Sequence, residues 1–208
     1  MLQLVIGLLL FLAIHSIRIV AEDARTGLVA RLGPGAYKGL YSVISVIGFV
    51  LIVQGYAASR MQPVELWPAW SAGRHIAALL SLFSFVLVVA AYVPRNAIKA
   101  RLRHPMVLGI KLWAFGHLLA NNSLADLLLF GSMLVWAVLS FRAARRRDAL
   151  AASALGSAGL SEGADQTAGD ARSSSRLADL AVLAIGLAAY WAFAFHLHAS
   201  LIGVRPFG

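Results

Sequence analysis

The chain has 208 residues, of which 60% are hydrophobic and only 13% are charged, and its mean hydropathy is +0.79. Soluble domains average roughly 45–50% apolar residues and about 25% charged ones, so this composition argues against a soluble enzyme and indicates a membrane protein. The chain has no cysteine, which excludes disulfides and thiolate metal ligands, and the meaning of its net charge of +9 depends on where the basic residues lie.

Six apolar segments follow one another along the chain, and each is predicted to be a helix because a bilayer offers no partner to unpaired backbone groups. Five of them last about twenty residues, the length that crosses a hydrocarbon core of roughly 30 Å. The fourth is shorter and contains Lys111, so a buried, tilted or re-entrant helix stays open as its alternative. The predicted spans are Leu2–Val20, Gly39–Ala58, His75–Val93, Met106–Ala120, Leu124–Phe141 and Leu177–Leu201. The predicted fold is therefore all-α, a polytopic membrane bundle of six transmembrane helices.

The basic residues divide unevenly between alternate connections. Most of the 18 Lys and Arg residues lie in the first, third and fifth connections, whereas the second connection and the C-terminal tail hold only Arg60, Arg74 and Arg205, and the fourth holds none. Short cytoplasmic loops carry the excess of Lys and Arg, so the odd-numbered connections are predicted to be cytoplasmic. Both the N-terminus and the C-terminus are then predicted to be periplasmic.

The segment from Asp148 to Ser175 differs in composition from the rest of the chain, because it consists mainly of Ala, Gly and Ser with scattered acidic residues. Such a segment buries too little surface to order itself, so it is predicted to be a flexible cytoplasmic linker. The chain then comprises a five-helix membrane core at 1–147, the linker at 148–175, and a sixth helix with its tail at 176–208. The basic run Arg142–Arg147 is expected to bind anionic lipid headgroups, and no nucleic-acid motif is present.

Histidines inside the predicted spans are the first candidates for function, since an ionisable group in a membrane is costly. A hydrogen-bonded structural role is the open alternative for each. With a rise of 1.5 Å per residue, His15 lies roughly 7–8 Å and His117 roughly 16 Å from the cytoplasmic surface. Two such imidazoles on neighbouring helices could bind a planar haem from its two faces. His75 and His196 lie near the opposite face, with His198 close by.

Two further residues are candidates for contact with such a cofactor. Lys111 is the one basic residue well inside a predicted span, at the depth of His15. Its side chain is expected either to extend to the cytoplasmic headgroups or, if buried, to pair with a cofactor propionate. His104 lies at the cytoplasmic mouth of the fourth span, directly before Pro105, and is the second candidate for the propionate end.

Several ordered motifs resemble the NnrU family of bacterial membrane proteins over nearly the whole chain outside the linker. The residues that carry the resemblance are Ile14-His15-Ser16, Tyr37-Lys38-Gly39-Leu40-Tyr41-Ser42, Ala91-Tyr92, Arg103-His104-Pro105-Met106, Gly109, Lys111, Trp113, His117-Leu118, Asn122, Asp126 and Leu201-Ile202-Gly203-Val204. The resemblance implies a multi-pass protein of the bacterial inner membrane. The family name also associates it with nitrite and nitric oxide reduction.

The NnrU family is similar to 15-cis-ζ-carotene isomerase, a membrane protein that holds haem b between two histidines. This resemblance implies that His15 and His117 are the haem ligands here. In the isomerase a cysteine three residues before the second histidine is an alternative ligand, and this chain has Ala114 there. The expected function is therefore a haem-dependent redox or isomerase-like role, with membrane lipid and an apolar small molecule or redox protein as partners.

Two other functions stay open. The stretch Arg103-His104-Pro105-Met106-Val107-Leu108-Gly109 resembles the motif with which membrane methyltransferases of the isoprenylcysteine type hold S-adenosylmethionine. Those enzymes follow the motif with a glutamate and an aromatic stretch, which this chain lacks. A membrane assembly factor without chemistry of its own is the third possibility.

Overall fold

The computed structural model describes residues 1–157 and 174–207, which are almost entirely helical. The helices are α1 (Leu2–Val20), α2 (Glu22–Leu32), α3 (Pro34–Arg60), α4 (Gly73–Tyr92), α5 (Ala97–Leu102), α6 (Pro105–Ala120), α7 (Leu124–Ser157) and α8 (Arg176–Ala192), then a π-helical segment (Phe193–Leu197) and α9 (His198–Ile202). Within these ranges the extended backbone forms one isolated bridge, between Glu65 and Ser123. The prediction of an all-α fold is confirmed.

Five helical stretches of the described chain are long and apolar enough to cross a membrane. They are α1, α3, α4, the Leu124–Ala154 part of α7, and the continuous stretch Arg176–Ile202. Helix α6, which corresponds to the fourth predicted span, is apolar but has only 16 residues. Its length is about 24 Å at 1.5 Å per residue, which is short of a full hydrocarbon core. A sixth crossing therefore stays a prediction.

The long helices form two halves that share α7. In the first half α1 packs along α3, and in the second half α4 packs against both α6 and α8. Helix α7 contacts α1 and α3 of the first half and α6 of the second half. It therefore joins the two halves.

Both chain termini lie at one end of this bundle, which we call the terminal end. Gln3 Nε2, at the start of α1, donates a hydrogen bond of 2.9 Å to Gln54 Oε1 near the end of α3. Arg60, the last residue of α3, donates a hydrogen bond to the carbonyl of Ile202 at the end of α9. At the other end, the basic end, the Ser175 N–H donates to the Arg95 carbonyl at 2.9 Å.

Glycines permit close contact of α1 with α3. A Cβ placed on Gly55 would lie 2.3 Å from the backbone nitrogen of Leu4, and one on Gly7 would lie 2.6 Å from that of Ile52. Small residues at such positions let helix backbones approach closely in a membrane, where packing replaces the hydrophobic effect as the source of helix association. The first half is consequently tightly packed.

Helix α7 extends beyond the predicted fifth span and into the predicted linker. It continues to Ser157, so residues 148–157 are helical where the sequence analysis predicts a flexible segment from Asp148. The physical reason is that this part is rich in Ala and Leu, the strongest helix formers, although its low complexity resembles that of a linker. The rest of the predicted linker up to residue 173 lies outside the described residues.

Candidate functional site

A cavity of about 280 Å³ opens at the terminal end of the second half, between α4, α6 and the C-terminal helix with its tail. Its walls are mainly aromatic and aliphatic side chains, and its polar groups are few. The aromatic wall residues are Phe85, Trp113, Tyr190, Phe193 and Phe207, and the polar and charged residues are Arg74, Ser81, His117, Asn121, His198 and Arg205. Mostly apolar walls with a few convergent polar groups are typical of small-molecule sites, whose volumes begin at about 300 Å³.

Two histidines line this cavity, and both have their Nδ1 atom engaged by a backbone carbonyl. His117 Nδ1 lies 2.9 Å from the carbonyl oxygen of Trp113, one turn earlier in α6. His198 Nδ1 lies 2.7 Å from the carbonyl oxygen of Val204. In a neutral imidazole this hydrogen bond assigns the proton to Nδ1 and leaves the Nε2 lone pair unprotonated, which is the form that binds metal ions. The cavity therefore contains two imidazoles prepared as ligands.

The local backbone explains how His198 reaches its position. The preceding segment Phe193–Leu197 is π-helical, and π-helical turns within α-helices occur frequently at functional sites. The chain then reverses at Gly203, whose φ of +77° is in the left-handed region that glycine adopts without strain. This reversal returns the Val204 carbonyl to His198. The π-helical segment and the glycine turn together position one imidazole.

Arg74 and Arg205 complete the cavity lining with two positive charges. Arg74 lies in the first turn of α4, where the positive end of the helix dipole disfavours a cation. In the part of the chain that the structure describes, ion pairs to carboxylates involve Arg18, Arg25, Arg103 and His104, and neither cavity arginine has one. The cavity therefore has an electropositive lining without an internal counter-ion.

His15, one of the two predicted haem ligands, lies elsewhere. Its ring stacks on Phe11 at 4.1 Å and lies 5.2 Å from Tyr41 and 6.0 Å from Trp136. Its Nδ1 is 2.7 Å from the Phe11 carbonyl. His15 belongs to the first half and does not line the cavity, whereas His117 contacts Phe130 on α7 at 4.7 Å between ring centroids. The structure does not bring His15 and His117 into one cavity.

Lys111 and His104 lie together, but at the basic end. The Lys111 Nζ is 3.9 Å from the centre of the Phe141 ring, and the His104 ring meets the same phenyl group edge-on at 6.2 Å. His104 Nε2 lies 3.0 Å from the Asp148 carboxylate, and an Arg103 nitrogen lies 3.6 Å from it. These residues do not line the cavity.

The backbone at Arg103 is strained. Its φ is +60°, and the His104 N–H donates to the Leu102 carbonyl at 2.6 Å across it, as in a γ-turn of the rare type. This turn directs His104 toward Asp148, a residue that the sequence analysis assigned to the linker. The Arg103-His104-Pro105 motif is thus the structural junction of α5, α6 and the extension of α7.

The histidine pair suits one kind of metal site better than another. In the described residues there is no group of three or more His, Cys, Asp or Glu side chains that could hold a bare metal ion. A structural or catalytic zinc ion needs three or four such ligands. A haem iron needs only one or two from the protein, because the porphyrin supplies the other four. Two histidines in an apolar cavity therefore match haem chemistry.

The sequence analysis did not name Arg74 or Arg205 as site residues, and it held His198 only as a further candidate histidine. One signal was available in the charge pattern, since Arg74 and Arg205 are two of the three basic residues that the topology rule places on the side poor in Lys and Arg. The position of His198 in the cavity depends on the π-helical segment before it and on the turn at Gly203.

Comparison with known proteins gives one match. A family model described as NnrU protein matches residues 3–206 of the chain. No curated protein and no solved structure matches it. The matched range contains every residue of the cavity except Phe207.

Proposed function

We propose that this chain, which belongs to the NnrU family, is a membrane protein of the bacterial inner membrane that binds one haem b between His117 and His198 and transfers electrons. The observation that carries the proposal is that both imidazoles line one apolar cavity and both have Nδ1 engaged by a carbonyl, so that Nε2 is free to bind iron. His117 is retained from the sequence analysis. His198 replaces His15 as its partner.

The chemistry of the cavity fits haem, whereas its volume fits only after a local movement. Aromatic walls suit a porphyrin, and two neutral imidazoles suit its iron. A volume of about 280 Å³ is small for a whole macrocycle. Phe207, near the end of the tail, is 42% exposed, so its side chain can move outward without breaking a packed core. Haem binding is expected to displace the Phe207 ring, while the Val204 carbonyl stays on His198.

Haem held by two imidazoles supplies one-electron chemistry by cycling between ferric and ferrous iron. In this chain His117 and His198 would hold the iron, and the apolar wall residues Trp113, Phe85 and Phe193 would limit its contact with water and so influence its reduction potential. With His117 and His198 both as its ligands, the haem would have no place left for a substrate to bind and would supply electron transfer. Ala114, which replaces the isomerase cysteine, supports the same choice. Electron transfer in nitrite or nitric oxide metabolism is therefore proposed ahead of an isomerase-like reaction.

A membrane assembly factor without haem is the second candidate. The small volume of the cavity favours it, since a protein that never binds a porphyrin needs no larger space. Methyl transfer is third. Its motif residues Arg103 and His104 are engaged with Asp148, which reduces their availability for S-adenosylmethionine.

The proposal is tested by the absorption spectrum of protein purified in detergent from cells supplied with a haem precursor. We expect a Soret band and, on reduction, the split α and β bands of low-spin haem b. His117→Ala and His198→Ala should each abolish this spectrum. His196→Ala is the matched control, because His196 lies two residues from His198 but packs against Trp191 outside the cavity.

His15→Ala decides between the two possible ligand pairs. We expect it to retain the low-spin spectrum because His15 does not line the cavity. Loss of the spectrum in His15→Ala together with its retention in His198→Ala would instead establish His15 and His117 as the ligands. Wild-type protein that purifies without haem would make the assembly factor the better function.

The membrane topology is a separate part of the proposal. An even number of crossings is required if Met1 and Gly208 are on the same side, and α6 has to be counted to obtain six. We propose that α6 crosses and that both termini are periplasmic, as the distribution of Lys and Arg predicts. Reporter fusions at Gly208 test this. A cytoplasm-active reporter that functions at this position contradicts it.

A further inference from the structure

Two of the three basic residues at the terminal end, Arg74 and Arg205, line the cavity. The third, Arg60, does not line it but donates a hydrogen bond to the Ile202 carbonyl, three residues before Arg205. The topology rule disfavours basic residues on this side of a membrane protein, so two arginines at one cavity call for an explanation.

We infer that Arg74 and Arg205 bind the carboxylates of the cavity's ligand, so that the two haem propionates point to the terminal end. The inference rests on the proposed function, because it assigns the charged end of the same ligand. It differs from the expectation that the propionates approach Lys111 or His104 at the basic end.

The electrostatics of Arg74 support an anionic ligand. Its place in the first turn of α4 is unfavourable for a cation by itself, and an anion beside it would be stabilised both by the guanidinium and by the helix dipole. Arginine also matches a carboxylate geometrically, since two parallel N–H groups can donate to its two oxygens. No carboxylate of the described chain occupies this place.

The position of Arg205 is fixed by its neighbours in the tail. The Val204 carbonyl accepts a hydrogen bond from His198, and Arg205 is the next residue in the chain. The tail therefore places the Arg205 guanidinium in the same stretch of chain as His198. A ligand whose iron binds His198 would then have a propionate partner seven residues further along the chain.

Lys111 and His104 are poor alternatives for the same role. Lys111 precedes His117 by six residues on α6, which corresponds to about 9 Å of helical rise toward the basic end. It lies over the Phe141 ring, and His104 is bonded to Asp148. Their charges are thus directed to partners within the protein.

Metal-free protoporphyrin IX and its dimethyl ester test the inference, because they differ only in the two carboxylates. Binding to the protein in phosphatidylcholine nanodiscs is measured by porphyrin fluorescence anisotropy against empty discs. We expect the diacid to bind about tenfold more tightly than the ester, as charge-assisted hydrogen bonds would give. Arg74→Gln and Arg205→Gln should each reduce this preference, and the double variant should remove it.

Two controls make the measurement specific. Arg101→Gln removes an exposed arginine of α5 at the basic end and should leave the preference unchanged. Arg74→Lys retains the charge and should restore part of the preference. Equal binding of diacid and ester to the wild-type protein would overturn the inference and would assign the two arginines to lipid phosphates.

The porphyrin experiment separates this inference from the proposed function. Metal-free porphyrin has no iron, so His117→Ala and His198→Ala should preserve the preference for the diacid. A diacid preference in a protein that shows no low-spin haem spectrum would overturn the proposed function and support the arginine site. A normal haem spectrum in the wild-type protein, together with an unchanged diacid preference in the arginine double variant, would support the proposed function and overturn the arginine site. Failure to bind either porphyrin would overturn both.

Discussion

The two halves of the bundle each hold a histidine, but His15 is packed among aromatic rings whereas His117 lines a cavity. His15 is enclosed by the rings of Phe11, Tyr41 and Trp136. His117 has Trp113 and Phe130 on one side and open space toward His198 on the other. Both donate Nδ1–H to the carbonyl one turn earlier, so hydrogen bonding does not distinguish them. The space next to the imidazole distinguishes a candidate ligand from a packed side chain.

Small residues have different effects in the two halves. Between α1 and α3, glycines allow the two backbones to touch, so no space remains. In the second half Ala77, Ala78 and Ser81 of α4 face the cavity together with Ala194 of the π-helical segment. These small side chains do not reach across to the opposite wall. Small residues thus close the interface in one half and leave a binding space in the other.

The largest expected effect tests the close packing of α1 on α3 in the first half. In Gly55→Leu the new side chain would start 2.3 Å from the Leu4 backbone nitrogen, which cannot move without separating α1 from α3. Overpacking of this kind costs about 3 kcal/mol or more, and we expect the melting temperature in detergent to fall by about 10 °C. The matched control is Gly39→Ala in the same helix, where no atom lies within 4 Å. It should be neutral or slightly stabilising, since alanine favours the helix.

A comparable melting temperature for Gly55→Leu and the wild type would show that α1 and α3 are not in close contact. The close packing that distinguishes the first half from the cavity of the second half would then be absent.

The second prediction compares a bulky residue placed in the cavity with the same residue placed in the packed interior. Ala78→Phe introduces a ring into the cavity, so we expect the ligand-free protein to melt within a few degrees of the wild type but to retain no low-spin haem. The same change at Ala137, which is 0% exposed in α7, should instead destabilise the fold by about 1–3 kcal/mol. Thermal melting and the absorption spectrum are measured on the same preparations. Normal haem content in Ala78→Phe would place the haem outside this cavity.

The sequence predicted the helices well because long apolar runs are direct evidence for them. Whether His15 and His117 share one site could not be derived from the sequence, because helical rise gives the depth of each residue but not the direction in which its side chain points. That direction depends on which helices are neighbours, and α1 packs along α3 whereas α6 packs against α4. His198 depends on a π-helical segment and on the turn at Gly203, neither of which follows from hydropathy.

The same reasoning explains the position of Asp148. Composition suggested that α7 ended before it, whereas the helix continues and places this carboxylate against His104 and Arg103. A contact between residues 44 positions apart cannot be derived from local sequence. Helix propensity of the Ala-rich segment was the available signal.

The third prediction tests the contrast between the two ends of the bundle. Asp148→Asn weakens the hydrogen bond to His104, which contributes about 1 kcal/mol, so we expect the melting temperature to fall by about 2–4 °C. The exposed pair with Arg103 should add little. Lys111→Met should remove only the contact with Phe141. Neither variant should change the haem spectrum or the reduction potential measured by redox titration. A shifted reduction potential in Lys111→Met would indicate that the propionates lie at the basic end instead.

The smallest expected effect concerns residues 158–173, which join α7 to α8. They are rich in Gly, Ser and Ala, and such a composition favours little burial of surface. The start of α8 has its own contacts, because the Ala97 N–H donates to the Asp179 carboxylate at 2.7 Å and the Ser175 N–H donates to Arg95. Replacing residues 158–173 with a Gly/Ser segment of equal length should therefore leave the melting temperature within about 2 °C and the haem spectrum unchanged. A large fall in either would mean that this segment packs on the bundle and that α8 depends on it to hold His198 at the cavity.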